Sequence, residues 1–361
     1  MELTTETLRL MKKFTEVQGT SGHEENVRRA FREEIAPYVD EIQLDGLGGI
    51  FGIKKAKDEN APVVMVAAHL DEVGFLVTNI TPQGLLKVTP VGGWNPLVVS
   101  SQRFTLQTND HDYPVVSSSI PPHVLKGQSP QTSINIDEIL FDAGFSSKEE
   151  ALEMGVLPGD SIVPDVKLVE TANKESIICK SWDNRYGLTI ITETLKQLHG
   201  KDLPFTLVAG ANVQEEVGLR GAKVSTHKFN PDVFVAVDCG PANDLTGDPT
   251  VFGKLGEGAL VRIFDASHIT SRPMRNYLVE LGNKNNINYQ FFLSKGGTDA
   301  GAAHTSQDGV PSVVIGMVAR YIHTHQTLFR KSDYLAARAM LEAFLVNLDA
   351  DKIAELHYLN D

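Results

Sequence analysis

The chain has 361 residues, 42% of them apolar and 22% charged, with a formal net charge of −13. This composition supports a packed core, argues against disorder, and suits two domains or one large domain carrying an insertion. The acidity argues against nucleic acid as a partner, since phosphate contacts need clustered Lys and Arg. No apolar run is long enough to span a bilayer.

Residues 4–17 read as a helix, with Leu8, Met11 and Phe14 at helical spacing. They lack the basic start and continuous apolar run of a signal peptide, and a cytoplasmic setting is expected. Cys179 and Cys239 sit in apolar segments that suit buried, reduced thiols. A second helix follows, with Ser21 as N-cap and Glu24 completing a capping box. "DEIQLDGLGGIFGIKK" reads as strand, glycine turn and strand. The run from Val63 to Ala68 suits a strand buried on both faces, and it ends in "HLDE".

The texture changes from 73 to 163. Short, often alternating segments are punctuated by "TPQG", "VGGWNP" and "SSIPPH", and only "SSKEEALEMG" looks helical. This predicts a small β-rich domain inserted into an α/β domain formed by 1–72 and 164–361. After the insertion, apolar strands alternate with helices: "SIICKSWDN", then a helix at 185–198, "PFTLVAGANVQ", a helix at 218–228, "DVFVAVD", "GALVRIFD", and helices at 273–285, 299–305 and 332–348 around "INYQFFL" and "PSVVIGM". The expected fold is α/β, a mostly parallel or mixed sheet covered by helices.

Polar residues collect where these strands end. His69 and Asp71 follow "VVMVAA", Asp183 follows "IICKSW", Glu215 and Glu216 follow "TLVAGANVQ", and Asp238 follows "VFVAV". His323, after "PSVVIGM", can join them. Ligands bind outside the carboxyl ends of strands in open α/β sheets, so four parallel strand ends predict one cluster. Alone, each residue reads as a cap or turn former. Together, the carboxylates need pairing or a metal, because burying them unpaired is costly. Two His and several Asp/Glu suit a pair of divalent ions such as Zn²⁺, Co²⁺ or Mn²⁺. In extended chain, His69 and Asp71 face the same side, so Asp71 can lie behind the His69 ring. A metal-free glycosidase using the acid pair does not explain the histidines.

The segments "AAHLDEVGF", "SWDNRYG", "NVQEEVGLRGA", "AVDCGPANDLTGD", "GGTDAGAAH" and "ARYIHTHQT" resemble the M42 family of metallo-aminopeptidases, and the likeness runs through the whole chain, nearest the bacterial glutamyl branch. The resemblance implies a zinc-peptidase-like fold whose insertion is PDZ-like and serves assembly, often into a dodecamer built from dimers. It implies that Asp183 bridges two ions, with His69 and Glu216 completing one position and Asp238 and His323 the other. It makes Glu215 the general base and Asp71 the group that orients His69. One departure is Asn184, where many relatives carry a second Asp. The implied substrates are peptides with an N-terminal Glu or Asp, for which Arg262 and Lys295 are candidate contacts. Two-metal amide deacylases and a metal-containing peptide-binding scaffold are the rival readings. His304, Thr298 and Asp299 read as loop-packing and capping residues, and His325 as a neighbour of the site or a surface group.

Overall fold

The computed structural model describes residues 2–121, 123 and 135–357. Helix α1 (Thr5–Glu16) is capped by the Thr4 hydroxyl, which accepts from Thr7 N–H, and buries Leu10, Met11 and Phe14. Helix α2 (Glu25–Ile35) lacks the expected capping box. The Glu24 side chain makes no cap bond, and Ser21 donates its hydroxyl to Asp71 instead. Strands β1 (Glu41–Leu44) and β2 (Ile50–Lys54) form the expected hairpin. Its turn is held by Asp45, whose Oδ1 accepts from the N–H groups of Leu47, Gly48 and Gly49. Strand β3 (Val63–His69) is buried beyond its first residue.

The β-rich insertion folds as a closed barrel. Strands β4 (Gly74–Ile80), β5 (Leu86–Val91), β6 (Arg103–Gln107), β7 (Asp112–Ser117), β8 (Phe141–Asp142) and β9 (Ser161–Pro164) close in the order β4-β5-β8-β7-β6-β9. Phe75, Phe104 and Phe141 meet at its centre with ring separations of 5.1–5.8 Å, a core separate from that of the main sheet. Helix α3 (Lys148–Glu153) is the helix expected there, capped by Ser147.

The chain then returns through β10 (Val169–Glu170) and β11 (Ser176–Cys179) to helix α4 (Trp182–Leu198), β12 (Thr206–Asn212), α5 (Arg220–Phe229), β13 (Val233–Pro241) and β14 (Ala259–Phe264). Helix α6 (Arg272–Asn285), β15 (Tyr289–Leu293), α7 (Asp299–His304), β16 (Ser312–Ala319), β17 (Thr327–Arg330), α8 (Lys331–Val346) and α9 (Ala350–Leu356) follow. Eight strands form a mixed sheet in the order β1-β2-β12-β3-β13-β16-β14-β15. Its centre, β12-β3-β13-β16, is parallel. The apolar run of β3 serves both faces. Val64, Val66 and Ala68 pack towards α1, α4 and α8, while Met65 and Ala67 pack with Ala300 and Ala303 of α7.

The "SIIC" strand is not in the main sheet. It pairs antiparallel with β10 and β17 in a separate three-stranded sheet. Asp183 therefore reaches the site from the first turn of α4, and the fourth parallel strand end is that of β16, which delivers His323. Among the described residues, no helix is long and apolar enough to cross a membrane.

Candidate metal centre

Several segments leave the carboxyl edge of the parallel strands, and sharp backbone turns redirect them into one place. Adjacent residues on a regular strand face opposite sides, so Glu215 and Glu216 cannot both face a cleft unless the strand stops. It does: β12 ends at Asn212, and Gln214 adopts a left-handed φ of 55°. Beyond β16, Tyr321 and His323 are also left-handed, with φ of 63° and 58°. Asp183 has non-helical φ/ψ inside the first turn of α4.

Asp183 stands between the two histidines. Its Oδ1 is 3.1 Å from His69 Nε2 and its Oδ2 is 3.4 Å from His323 Nε2. His69 Nε2 is also 4.0 Å from Asp238 Oδ1 and 3.9 Å from Glu215 Oε2. His323 Nε2 is 3.4 Å from Glu216 Oε2. Two triplets share Asp183: His69–Asp183–Asp238 and Asp183–Glu216–His323. The resemblance pairs His69 with Glu216 and Asp238 with His323; here His69 also groups with Glu215 and Glu216, so Glu216 lies within reach of both histidines while Asp238 groups with His69. His69 and Asp238 both sit on the sheet, on neighbouring strands β3 and β13, while Glu216 and His323 both come from loops beyond it.

Asp71 lies behind His69, as the spacing suggested. His69 Nδ1 is 3.4 Å from Asp71 Oδ1 and 3.1 Å from the Asp71 carbonyl. Asp71 does more than this. Its Oδ1 accepts from Glu215 N–H at 3.1 Å, and its Oδ2 accepts from Glu216 N–H at 3.1 Å and from the Ser21 hydroxyl at 2.6 Å. One buried residue thus lies against the His69 ring through its carbonyl and carboxylate and ties down the loop carrying both glutamates. Glu24 assists by accepting from Gln214 N–H at 3.1 Å. Removing the Ser21 hydroxyl leaves an acceptor of Asp71 unmatched. Ser21→Ala is expected to lower kcat by about tenfold and unfolding free energy by about 2 kcal/mol; steady-state kinetics and a urea melt check both.

The electrostatics fit bound cations. Burial, then neighbouring charges, pushes the Glu216 carboxyl up to about 8 and Asp238 up to about 7. Burial also drives Glu215 well above the usual carboxylate range, with Asp238 and Glu216 adding to it against His69. For His323, burial favours the neutral ring, but Glu216 and Asp183 outweigh it and raise it to about 10. His69 moves the same way, with Glu215 and Asp183 overcoming burial. Burial disfavours ionised Asp71, but His69, Ser21 and the Glu215 N–H hold its carboxyl below the ordinary range.

Buried carboxyls shifted this way are stabilised in their charged form by a nearby cation. Among the described residues, Asp183, Glu215, Glu216 and Asp238 pair with no Lys or Arg. Glu216 Oε1 is buried without a hydrogen-bond partner. An oxygen-rich donor set with two imidazoles and an unused buried carboxylate oxygen fits divalent ions of the zinc and cobalt kind.

The cluster opens onto a cavity of about 560 Å³ lined by Asp183, Glu215, Glu216, Asp238, His323 and Arg262 among others. Arg262 is buried in its wall, donating to the Cys239 carbonyl at 2.9 Å, facing Asp265 Oδ2 at 3.4 Å and lying over Phe292. Lys295 is exposed, and it does not line the cavity although Ser294, Gly296 and Gly297 do. His304 packs on the Ser267 carbonyl, and His325 packs edge-on against Phe104 of the barrel. Thr298 occupies the N-cap position of α7 as expected but makes no side-chain cap bond. Thr298 donates to Asp265, and Asp299 accepts from Asn212 at 2.8 Å. The roles of Ser21, Glu24 and Asp299 around the site escaped sequence reasoning. A buried Ser or Glu beside a helix start looks like a cap until its partner is known.

Residues 48–340 match the family model for M42 glutamyl aminopeptidase. Glutamyl aminopeptidase of Lactococcus lactis subsp. cremoris (strain MG1363) is 51% identical over 348 residues, spanning 96% of this chain and 98% of that protein. The TET aminopeptidase from a marine sediment archaeon (Thaumarchaeota archaeon SCGC AB-539-E09) superposes with a TM-score of 0.93 at 33% identity, covering 98% of this chain and 100% of that one. The Pyrococcus horikoshii TET1 peptidase, which can assemble into a tetrahedron or a large octahedral shell, gives 0.85 at 29% identity over 95% and 100%. The matched family model, the 51% identical relative and the shared fold show that the chain belongs to the M42 glutamyl aminopeptidase family, whose members use divalent metal ions.

Proposed function

We propose that this metal-dependent aminopeptidase removes acidic residues from peptide N-termini with a pair of ions, Zn²⁺ or Co²⁺ by preference and Mn²⁺ as an alternative. The observation that supports a pair most directly is the Asp183 carboxylate, whose two oxygens face different histidines at 3.1 and 3.4 Å. In this reading His69, Asp183 and Asp238 hold one ion, and Asp183, Glu216 and His323 hold the other. When bound, such ions act as Lewis acids towards the carbonyl and make a nearby water acidic enough to react at neutral pH, as in two-ion aminopeptidases generally.

The chain's own residues supply the rest. Glu215 faces the cavity beside the cluster, outside both triplets that contain Asp183, although it also groups with His69 and Glu216. It takes the proton of the attacking water and hands it to the departing amine. Asp71 positions it through the Glu215 N–H and keeps His69 Nε2 turned towards Asp183. The cavity beyond admits the side chain of the residue to be removed. Arg262 offers the positive charge that a substrate carboxylate needs there, whereas exposed Lys295 is the weaker candidate.

Loading the stripped protein with Zn²⁺ or Co²⁺ and assaying the Glu, Asp, Leu and Lys p-nitroanilides tests the reading. Glu and Asp should lead, and a preference for Leu would sink acidic specificity. Arg262→Met should cost roughly 10- to 100-fold in kcat/KM on Glu and far less on Leu.

We also propose that residues 73–163 act as an assembly domain, PDZ-like in role, within a catalytic domain of 1–72 and 164–361. The chain would form dodecamers from dimers and act on peptides in the cytoplasm. Sedimentation against the chain mass of 39.5 kDa tests the assembly, and a dimer as the final state would refute it.

A further inference from the structure

The two histidines are held differently. His69 is buried, and its Nδ1 is anchored by Asp71 two residues along the same chain segment. His323 has a side chain 34% exposed and sits in a loop. Its Nδ1 donates to the Gly93 carbonyl at 2.9 Å. Gly93 belongs to the barrel, in the segment that follows β5.

That segment is built for close approach. Gly92 has a φ of 76°, which favours glycine, and an added Cβ would lie 2.7 Å from Val73 Cγ1 and 3.3 Å from Glu216 Cβ. A Cβ on Gly93 would lie 3.3 Å from His323 Nδ1. Trp94 then pins the segment to the barrel. Its Nε1–H donates to the Gly74 carbonyl at 3.1 Å, and its ring stacks on Phe75 with centroids 4.9 Å apart. Val91, just before Gly92, pairs with Gly74 across β4 and β5. The carbonyl that faces His323 is therefore fixed by barrel packing.

We propose that the inserted barrel is part of the metal centre: the Gly92–Trp94 segment, anchored by Trp94, holds His323 through the Gly93 carbonyl and leaves room for Glu216, so that Trp94 is a positioning residue for the ion shared by Asp183, Glu216 and His323. A carbonyl on Nδ1 fixes the proton there, leaves Nε2 as the donor to metal and strengthens it. Without this contact a half-buried histidine on a loop loses rotamer freedom only when the ion arrives, and affinity falls accordingly. The inference rests on the two-ion reading above.

The test is calorimetric titration of Zn²⁺ into the ion-stripped full-length chain. The wild type should take up two ions per chain. Trp94→Ala should weaken one of the two steps at least tenfold, as second-sphere changes do. Trp94→Phe, which keeps the stacking on Phe75, should recover most of the loss. Gly93→Ala presses on His323 without removing any core volume, so it should weaken the same step even if Trp94→Ala folds poorly. The double variant Trp94→Ala/His323→Ala should bind no more weakly than His323→Ala alone, because both remove one interaction. Unchanged affinities in both Trp94→Ala and Gly93→Ala would overturn the inference, as would full additivity with His323→Ala. Fewer than two ions in the wild type would overturn the two-ion reading beneath it.

Discussion

Glu215→Gln is expected to lower kcat by roughly two to four orders of magnitude, the range lost with a positioned general base, while both ions remain bound. The side chain keeps its size but can no longer accept a proton. Glu215 Oε2 is 3.9 Å from His69 Nε2, and Glu215 lies outside the two triplets that share Asp183. The same change should raise the melting temperature of the ion-free protein. Burial, with Asp238 and Glu216 beside it, already drives the Glu215 carboxyl well above the usual range, so its charge is a strain on the fold. A neutral amide removes that strain. Lower activity with a higher ion-free melting temperature is the expected trade between function and stability. Steady-state kinetics, metal analysis and a thermal melt read all three. Loss of an ion in Glu215→Gln would make Glu215 a ligand, and near-normal kcat would remove it as the base.

Stripping the ions should make stability strongly dependent on pH. The carboxyls of Glu216 and Asp238 are raised from 4.5 and 3.8 to about 8 and about 7, and His323 from 6.5 to about 10. Each shift is upward, so between about pH 4 and pH 10 the folded ion-free chain binds more protons than the unfolded one. Stability from these groups is present below the unfolded values and is lost as pH rises through the folded ones. Asp183 is shifted downward, against the effect of its burial, by the two histidines. Its contribution is lost only as pH falls below the ordinary Asp range, outside this window. Bound ions replace the protons and remove most of the dependence. The melting temperature gap between loaded and stripped protein should therefore widen from pH 5.5 to pH 8.5, by roughly 5 °C. Scanning calorimetry after dialysis with and without chelator measures it. A gap that stays constant or narrows would contradict this electrostatic picture.

Much of the fold was legible because local rules and tertiary packing agree. The apolar run of β3 is buried on both faces because helices cover both sides of the sheet. The bend at Gln214 was legible too, since two adjacent glutamates cannot share a face of a regular strand. What failed turned mostly on partners far away in sequence. Ser21 and Glu24 carry the letters of a capping box, yet they serve Asp71 and the Gln214 turn, 50 and 190 residues along the chain. The apolar "SIIC" segment has the composition of a main-sheet strand, but its hydrogen bonds go to β10 and β17. The resemblance supplied the candidate ligand set, and the geometry adds that the two groups sharing Asp183 are His69–Asp183–Asp238 and Asp183–Glu216–His323. The "VGGWNP" segment read as punctuation in a β-rich region. Its tie to His323 spans 230 residues and involves a backbone carbonyl, which no side-chain pattern encodes.

Two ions sharing Asp183 are the centre of the proposed mechanism. The direct test is an anomalous-difference map from a crystal of the chain loaded with Zn²⁺, recorded at the metal edge. It should show two peaks about 3.5–4 Å apart, one bounded by His69, Asp183 and Asp238 and the other by Asp183, Glu216 and His323. A single peak, or two peaks that do not share the Asp183 carboxylate, would contradict it.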